Sequence, residues 1–473
     1  MSAHVEAALA GVLPKERFAA ATELERYAVD GFIPESVVFA ETIAEVEGVV
    51  RAAGAAALAL LPAGLGAHLA IGMPPDRLDC VVSTARLTGI VEHAAADMTV
   101  TLRAGTTLAD VTAVLAGAGQ WLPLDPPLPL RTTMGGLLAA NLSGLLRTSQ
   151  GAVRDLTIGL RAVRADGRVI GSGGRVVKNV AGYDLHKAFI GSQGTLGIIV
   201  EVTFKVRPRP DGEVTVVVAC PSFDTAGRLV AAIRDAAVEP LWLAVAGAGI
   251  LDGSTASKAT NPAAPRNPQE ISDGTHTKTT GAAATLVLGL GGSPRSLDVQ
   301  RDRITVLARA HVGPGRLGSL AEPASTAVPT ATAAEPYATL RDFAATAEGD
   351  ALCTVSLLPT DVGGYVEAAG AACARHRLRM KVVVEPTVAR LQTLLCGEGT
   401  GPADDALGAA VVELRTLAAS RRGHLVLRRA SPGVKARAGV WGDLGPAGFL
   451  MQRLRRAFDP HGVLARGRFV EAG

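Results

Sequence analysis

The sequence predicts an α+β protein built in two units, and three observations carry that reading. Up to about residue 206, short apolar runs of strand length are separated by glycine-rich loops; beyond it, strands alternate with long helical segments. Between the two regimes stands Arg207-Pro-Arg-Pro-Asp-Gly212, a Pro/Gly cluster that reads as a boundary. The length, 473 residues, suits two or three domains of ordinary size.

In the first unit, Thr42-x-x-Glu45 ahead of Val46, Val49 and Val50 is a capping box and predicts a helix over 42–53. Strands are expected at 57–61, 81–84, 89–93 and 98–104, and a second capped helix at 107–116. Residues 135–142 form a small-residue segment entered through two glycines. Asp166-Gly167 predicts a hairpin between 156–165 and 168–171, and 195–206 reads as a long strand. In the second unit, 214–220, 222–238 and 241–246 make a β-α-β succession. Segments 285–290, 297–312, 352–358, 362–377, 380–385, 404–421 and 424–429 continue it, which predicts an open sheet with helices on one side. Residues 252–281 and the Pro/Ala/Thr-rich 321–336 lack apolar periodicity and are expected to be mobile insertions. A short helix and a Phe458-Asp-Pro-His-Gly462 turn end the chain.

Composition narrows the function classes. The 47 basic and 44 acidic residues leave a net charge of +3, spread along the chain, which predicts neither a nucleic-acid footprint nor a membrane-surface binder. Five cysteines, widely spaced and with no CxxC, are expected to be reduced core residues rather than a metal site or an iron–sulfur cluster. The charge-free run 52–75 is interrupted by Pro62, Gly64 and Gly66, so it reads as a buried strand and a loop rather than a membrane span. The first residues are acidic and lack a signal-peptide order, so a cytoplasmic location is expected.

The usual catalytic strings are missing: no lysine follows a glycine as a P-loop requires, and neither HExxH nor G-x-S-x-G occurs. Gly247-x-Gly249 does not open a helix, so it is not a Rossmann turn. Three glycine-rich loops remain: Pro62-Ala-Gly64-Leu65-Gly66; Arg131-Thr-Thr133-Met-Gly135-Gly136, running on to Asn141 and Gly144; and Gly191-Ser-Gln-Gly194-Thr195-Leu-Gly197, followed by Ile198. Glycines let backbone amides approach a phosphate, and successive amides form anion-binding nests. With Arg154, Asp155 and Lys178 interspersed, the three loops predict a dinucleotide-sized anion site.

Between two of these loops lies Val176-Val-Lys-Asn-Val-Ala-Gly-Tyr-Asp184, and this string resembles the FAD-binding domain of the vanillyl-alcohol-oxidase (p-cresol methylhydroxylase, PCMH) superfamily. Within it, the string is similar to the FAD-binding E subunits of glycolate oxidases. Further landmarks stand in order: Gln120-Trp-Leu-Pro-Leu-Asp125, Gly151-Ala-Val-Arg154-Asp155, Val440-Trp-Gly442 and Gly467-Arg-Phe469. The resemblance implies a PCMH-type FAD-binding domain over 1–210, an α+β antiparallel-sheet cap over 211–440 and a return to the first domain over 441–473. It implies FAD as cofactor, held by the three loops and Arg154, with Lys178 and Asp184 shaping the flavin pocket.

The loop departs from the family pattern, with Ala63-Gly-Leu65-Gly-Ala67 where relatives carry Arg-Gly-Gly-Gly-Thr. Covalent-flavin relatives place a histidine where Ala67 stands; His68 comes one residue late, so non-covalent FAD is expected and His68 reads as a loop histidine. No cap metal-and-base segment occurs, and the catalytic residues stay unassigned. Arg428 and Arg429, or Arg375 and Arg377, are the candidates for a substrate carboxylate. The resemblance implies oxidation of a small 2-hydroxy acid, glycolate to glyoxylate. Electrons would pass to an iron–sulfur subunit in a complex that also holds a homologous flavin subunit, with membrane association through those partners. A stand-alone flavin dehydrogenase for another alcohol or hydroxy acid, and a flavin-free scaffold subunit, are the alternatives.

Overall fold

A computed structural model describes residues 3–175, 182–251, 283–313, 335–397 and 404–469. The expected insertions near 252–281 and 321–336, and Lys178, therefore lie wholly or almost wholly outside the described residues.

The first layer is a parallel sheet of β1 (Ser36–Phe39), β2 (Leu60–Ala63) and β3 (Cys80–Ser83), in the order β1-β3-β2. The capping box is present: Thr42 Oγ1 accepts from the Glu45 amide at 3.1 Å, and Glu45 Oε2 accepts from the Thr42 amide at 3.0 Å. It starts helix Ile43–Ala55, whose Val46, Val49, Val50 and Ala53 are buried against β1, β2 and β3. A five-stranded antiparallel sheet follows, made of β4 (Ile90–Ala94), β5 (Thr99–Arg103), β7 (Thr157–Val163), β8 (Val169–Gly173) and β9 (Ile198–Lys205) in the order β4-β5-β9-β7-β8. The turn between β7 and β8 uses Gly167 at φ +74, as the Asp-Gly pair requires. A short ribbon pairs β6 (Gln120–Trp121) with β10 (Arg207–Pro208).

The second unit is one antiparallel sheet of β11 (Gly212–Cys220), β12 (Trp242–Gly247), β13 (Ala284–Gly292), β14 (Ala351–Ser356), β15 (Leu378–Glu385), β16 (Arg390–Gly397) and β17 (His424–Arg429). Its order is β11-β13-β12-β15-β16-β14-β17. β13 separates β11 from β12, so the succession read as β-α-β is a split unit whose middle strand comes later in the chain. Helices Phe223–Asp235, Pro294–Val312, Val362–Arg375 and Asp404–Ala419 cover one face. The other face is covered too, which the sequence did not suggest: helix Glu335–Thr346 lays Tyr337, Leu340 and Phe343 against Trp242, Val287, Val383 and Leu394. Leu145 and Leu146 from the first unit complete that core.

Helix Gly445–Phe458 then brings the chain back to the first layer. The Leu60 amide donates to Val463 O at 2.8 Å and the Ala465 amide to Leu60 O at 2.7 Å, extending β2 by a bridge. Asp459 fixes the turn by accepting the amides of Val463 and Leu464. All five cysteines are buried and free, and no described helix is long and apolar enough to cross a membrane.

Candidate functional site

Two adjoining clefts meet at His68, the first inside the first unit and the second between that unit and the cap. The first, of about 760 Å³ including its mouth, gathers Pro62 in β2 with Gly64, Leu65 and Gly66 after it, Thr133, Gly135 and Gly136 at the start of helix Met134–Ala139, and Gly194 and Gly197 ahead of β9 with Ile198 at its start. The loops meet closely. A Cβ on Gly64 would come within 2.1 Å of Thr133 Oγ1, and one on Gly194 within 3.1 Å of Pro62 Cγ, where φ is +76. Only glycine fits either place.

The chemistry of this cleft suits an anion. The amides of Gly64, Leu65, Gly66, Ala67 and His68 have no acceptor among the described residues, so successive N–H groups stay available. The Gly135 amide is already given to Ala104 O and the Gly136 amide to Thr133 Oγ1; those glycines supply room rather than donors. Arg131 and Arg468 line the wall and no carboxylate does. Arg468 is buried and anchors the loop itself, donating to the carbonyls of Leu69, Ile71 and Met73. Beside it the Lys435 ammonium, fully buried, donates to both Asp30 oxygens and to Ala70 O, all at 2.7 Å. A diphosphate-bearing dinucleotide such as FAD fits this donor set.

The second cleft, of about 830 Å³ including its mouth, is bounded by apolar Leu145, Leu340 and Leu352 and by Arg341, Arg390, Arg428 and Arg429. Three of these guanidinium groups are committed. Arg341 pairs with Asp342 at 2.7 Å, Arg390 donates to Ser143 O at 3.1 Å, and Arg429 donates to Ala347 O at 2.7 Å. Arg428 is half-buried and has no hydrogen-bond partner among the described residues. Burial, then the Arg390 charge, pushes it down to about 10. Glu385 is the one carboxylate on the wall; burial raises its pKa, and Arg390 lies 3.6 Å away.

His68 lines both clefts. Its Nε2 lies 2.7 Å from Thr132 Oγ1, and burial, Arg428 and Arg131 together push it down to about 4. The loop histidine of the sequence reading is thus a wall between the two chambers.

The other sequence candidates are placed as follows. Gly144 lines the second cleft, where a Cβ would come within 1.9 Å of Asp125 O. Asn141, at φ +49, is exposed one residue beyond Ala140 of the cleft wall. Thr195 is buried and turns its hydroxyl to Ser192 O at 2.6 Å. Arg154 and Asp155 are exposed, Arg154 donating to Lys187 O and Asp155 capping Ala152; neither lines the clefts, and nor does exposed Asp184. Arg375 pairs with Glu413, Arg377 is exposed, and both stand apart from the site. Arg131, which opens the second glycine-rich loop of the sequence, lines the first cleft, whereas Arg390 and Glu385 were missed because they flank a hairpin whose second strand carried no alternation.

Comparison with known proteins agrees with this geometry. Residues 34–173 match the family model described as an FAD binding domain. The glycolate oxidase subunit GlcD of Bacillus subtilis is 31% identical over 211 residues, covering 45% of either chain. The glycolate oxidase subunit GlcE of Escherichia coli is 43% identical over 123 residues, 26% of this chain and 35% of that one. A D-2-hydroxyglutarate dehydrogenase of Xanthomonas citri is 33% identical over 201 residues, 42% of this chain and 43% of that one. The matches thus span less than half the length of these relatives. Among solved structures, p-cresol methylhydroxylase with substrate bound superposes with a TM-score of 0.71 at 17% identity, covering 98% of this chain and 96% of that one. An alkyldihydroxyacetonephosphate synthase superposes with a TM-score of 0.71 at 16% identity, covering 98% and 85%. The chain therefore has the PCMH-type fold, and its residues 34–173 are similar to the FAD binding domain family.

Proposed function

We propose that this chain oxidises a small 2-hydroxy acid, glycolate to glyoxylate, with non-covalent FAD, as the flavin subunit of a complex that passes the electrons to an iron–sulfur partner. One observation carries the reading: Arg428, a half-buried guanidinium without a hydrogen-bond partner among the described residues, faces a chamber that adjoins the flavin cleft. A guanidinium in that setting matches a carboxylate by two parallel N–H donors. The apolar remainder of the chamber, with Leu145, Leu340 and Leu352, suits a substrate whose only charge is that carboxylate. The relatives named for glycolate and for D-2-hydroxyglutarate share this 2-hydroxy-acid chemistry, and two of them are named as subunits.

Bound FAD supplies the two-electron oxidant. The amides of residues 64–68 would take its diphosphate, Arg131 would add positive charge, and the glycines at 135, 136, 194 and 197 would leave it room. Ala67 places no nucleophile at the position used by covalent-flavin relatives, which supports a releasable cofactor. Arg428 orients the substrate carboxylate, and Arg390, tied to Ser143 O, backs it without competing for it.

The test is the visible spectrum of the purified chain, repeated anaerobically with glycolate, D-lactate and D-2-hydroxyglutarate. A flavin spectrum released by acid precipitation and bleached by one of these acids is the expected result; a chain that refuses added FAD would sink the reading. Arg428→Met should keep the flavin and lower kcat/KM by about 10- to 100-fold, chiefly through KM, as expected for a lost charged hydrogen bond.

A further inference from the structure

We infer that His68 is the base that takes the hydroxyl proton of the substrate, acting through Nδ1, with its tautomer set by Thr132. The inference rests on the oxidation reading above and adds the residue that the sequence left unassigned.

Thr132 is 1% exposed and has a single hydroxyl proton. Its Oγ1 lies 2.7 Å from Pro127 O and 2.7 Å from His68 Nε2. The Pro127 carbonyl can only accept, so the Thr132 proton goes there and the Thr132 oxygen must accept from His68. Nε2 therefore carries the hydrogen of the neutral ring, and Nδ1 keeps its lone pair. No described residue donates to Nδ1. The Pro127 carbonyl is itself fixed: its neighbour Leu128 donates its amide to Asp342 Oδ1 at 2.9 Å, on helix Glu335–Thr346.

Position makes this lone pair useful. His68 belongs to the walls of both the flavin cleft and the guanidinium chamber and feels the Arg428 charge, so a hydroxy acid held by Arg428 would bring its carbinol end to the ring. The charged groups around it are Arg131 on its loop side, Arg428 on β17, Arg390 and Glu385 at the ends of the β15–β16 hairpin, Arg341 on the cap helix, and Arg468 below the loop. Burial first, then the charges of Arg428 and Arg131, keep the ring unprotonated with its lone pair free. A substrate carboxylate on Arg428 offsets the nearest of those charges, so binding raises the basicity of Nδ1 when it is needed.

The step balances. The O–H bond of the hydroxy acid breaks and its proton goes to Nδ1. The freed electron pair becomes the second C–O bond. Bound FAD would supply the two-electron oxidant that takes the Cα hydrogen with its electron pair, leaving a 2-oxo acid.

The experiment uses the full chain with FAD. Oxalate, a dicarboxylate that cannot be oxidised in this way, reports binding through the flavin spectrum; glycolate, D-lactate and D-2-hydroxyglutarate report anaerobic bleaching. His68→Gln should bind oxalate within about threefold of the parent while bleaching falls by about 100-fold or more, the usual share of a general base. Thr132→Val, which frees the ring without removing it, should bleach about tenfold more slowly with oxalate binding unchanged, and it stands in if His68→Gln loses its flavin. A readout independent of turnover is nitrogen NMR of labelled histidine, with the His68 signal assigned among the nine histidines by its loss in His68→Gln. Nδ1 should be bare at pH 7, remain so until the pH nears about 4, and gain its proton at higher pH once oxalate is bound. Bleaching at the parental rate in His68→Gln, or a proton on Nδ1 at pH 7, overturns the assignment alone. Failure of all three acids to bleach a flavin-loaded parent overturns the oxidation reading and the base with it.

Discussion

Asp125 is buried, only 5% exposed, and its Oδ2 accepts from the Tyr337 hydroxyl at 2.7 Å and from the Leu146 amide at 3.0 Å. Burial outweighs both hydrogen bonds and raises its pKa to about 7, from 3.8 in an exposed chain. Folding therefore takes up a proton here. The stabilisation is whole below pH 3.8 and is lost as the pH rises through 7. Asn at 125 can still accept from Tyr337 and Leu146 but does not titrate, so Asp125→Asn should flatten the fall of Tm between about pH 4 and pH 7. His68 works in the opposite sense: its folded value of about 4 lies below the ordinary 6.5, so its contribution is present above pH 6.5 and lost as the pH drops toward 4. His68→Gln should flatten that acid limb, and thermal melts at half-unit pH steps separate the two. Neither property was legible in the sequence. The residues were visible, Asp125 inside a quoted landmark and His68 beside a loop, but a pKa is made by partners that arrive from elsewhere in the chain.

At the level of elements, the sequence was most informative where structure is decided locally. Thr42 and Thr107 announce their helices because a cap acts over three residues, and Asp166-Gly167 announces its hairpin because the turn needs a positive φ. Strands β1 and β16 went unread because they are buried on both faces and show no alternation, and helix Glu335–Thr346 because its first turn runs out of a Pro/Ala/Thr-rich stretch. Helix Pro432–Ala438 shows what an element can do beyond covering a core. Its Lys435 reaches into the first unit and holds Asp30 and the Ala70 carbonyl, next to the loop that carries the free amides. Lys435→Met leaves Asp30 buried with only Arg468 at 3.6 Å, and should cost about 3–5 kcal/mol in urea unfolding. Asp30→Asn combined with Lys435→Met should recover part of that loss, because the stranded charge is removed.

For the whole molecule, the glycine-rich loops made the flavin half of the site legible, while the cap half was not. Arg390 and Arg428 come from β16 and β17, which are not neighbours; β14 lies between them, and only the folded sheet brings both to one chamber. The cap is seated on the first unit by directional contacts, Arg390 to Ser143 O, Asp342 to the Leu128 amide and Tyr337 to Asp125, so its position bears directly on His68 and Thr132. The returning segment 463–468 has an effect of another kind. Arg468 and the Leu69 carbonyl that it grips are 399 residues apart, and β2 gains its outer neighbour only from Leu464. Removing residues 460–473 should therefore leave a chain whose cap still folds, seen as retained far-ultraviolet dichroism, but which purifies without colour even when FAD is supplied. The same wiring makes the cofactor loop dependent on closing a very long stretch of chain: 399 positions must be spanned before Arg468 reaches Leu69 O, so this contact carries a large loop-closure entropy cost and belongs to the late steps of folding.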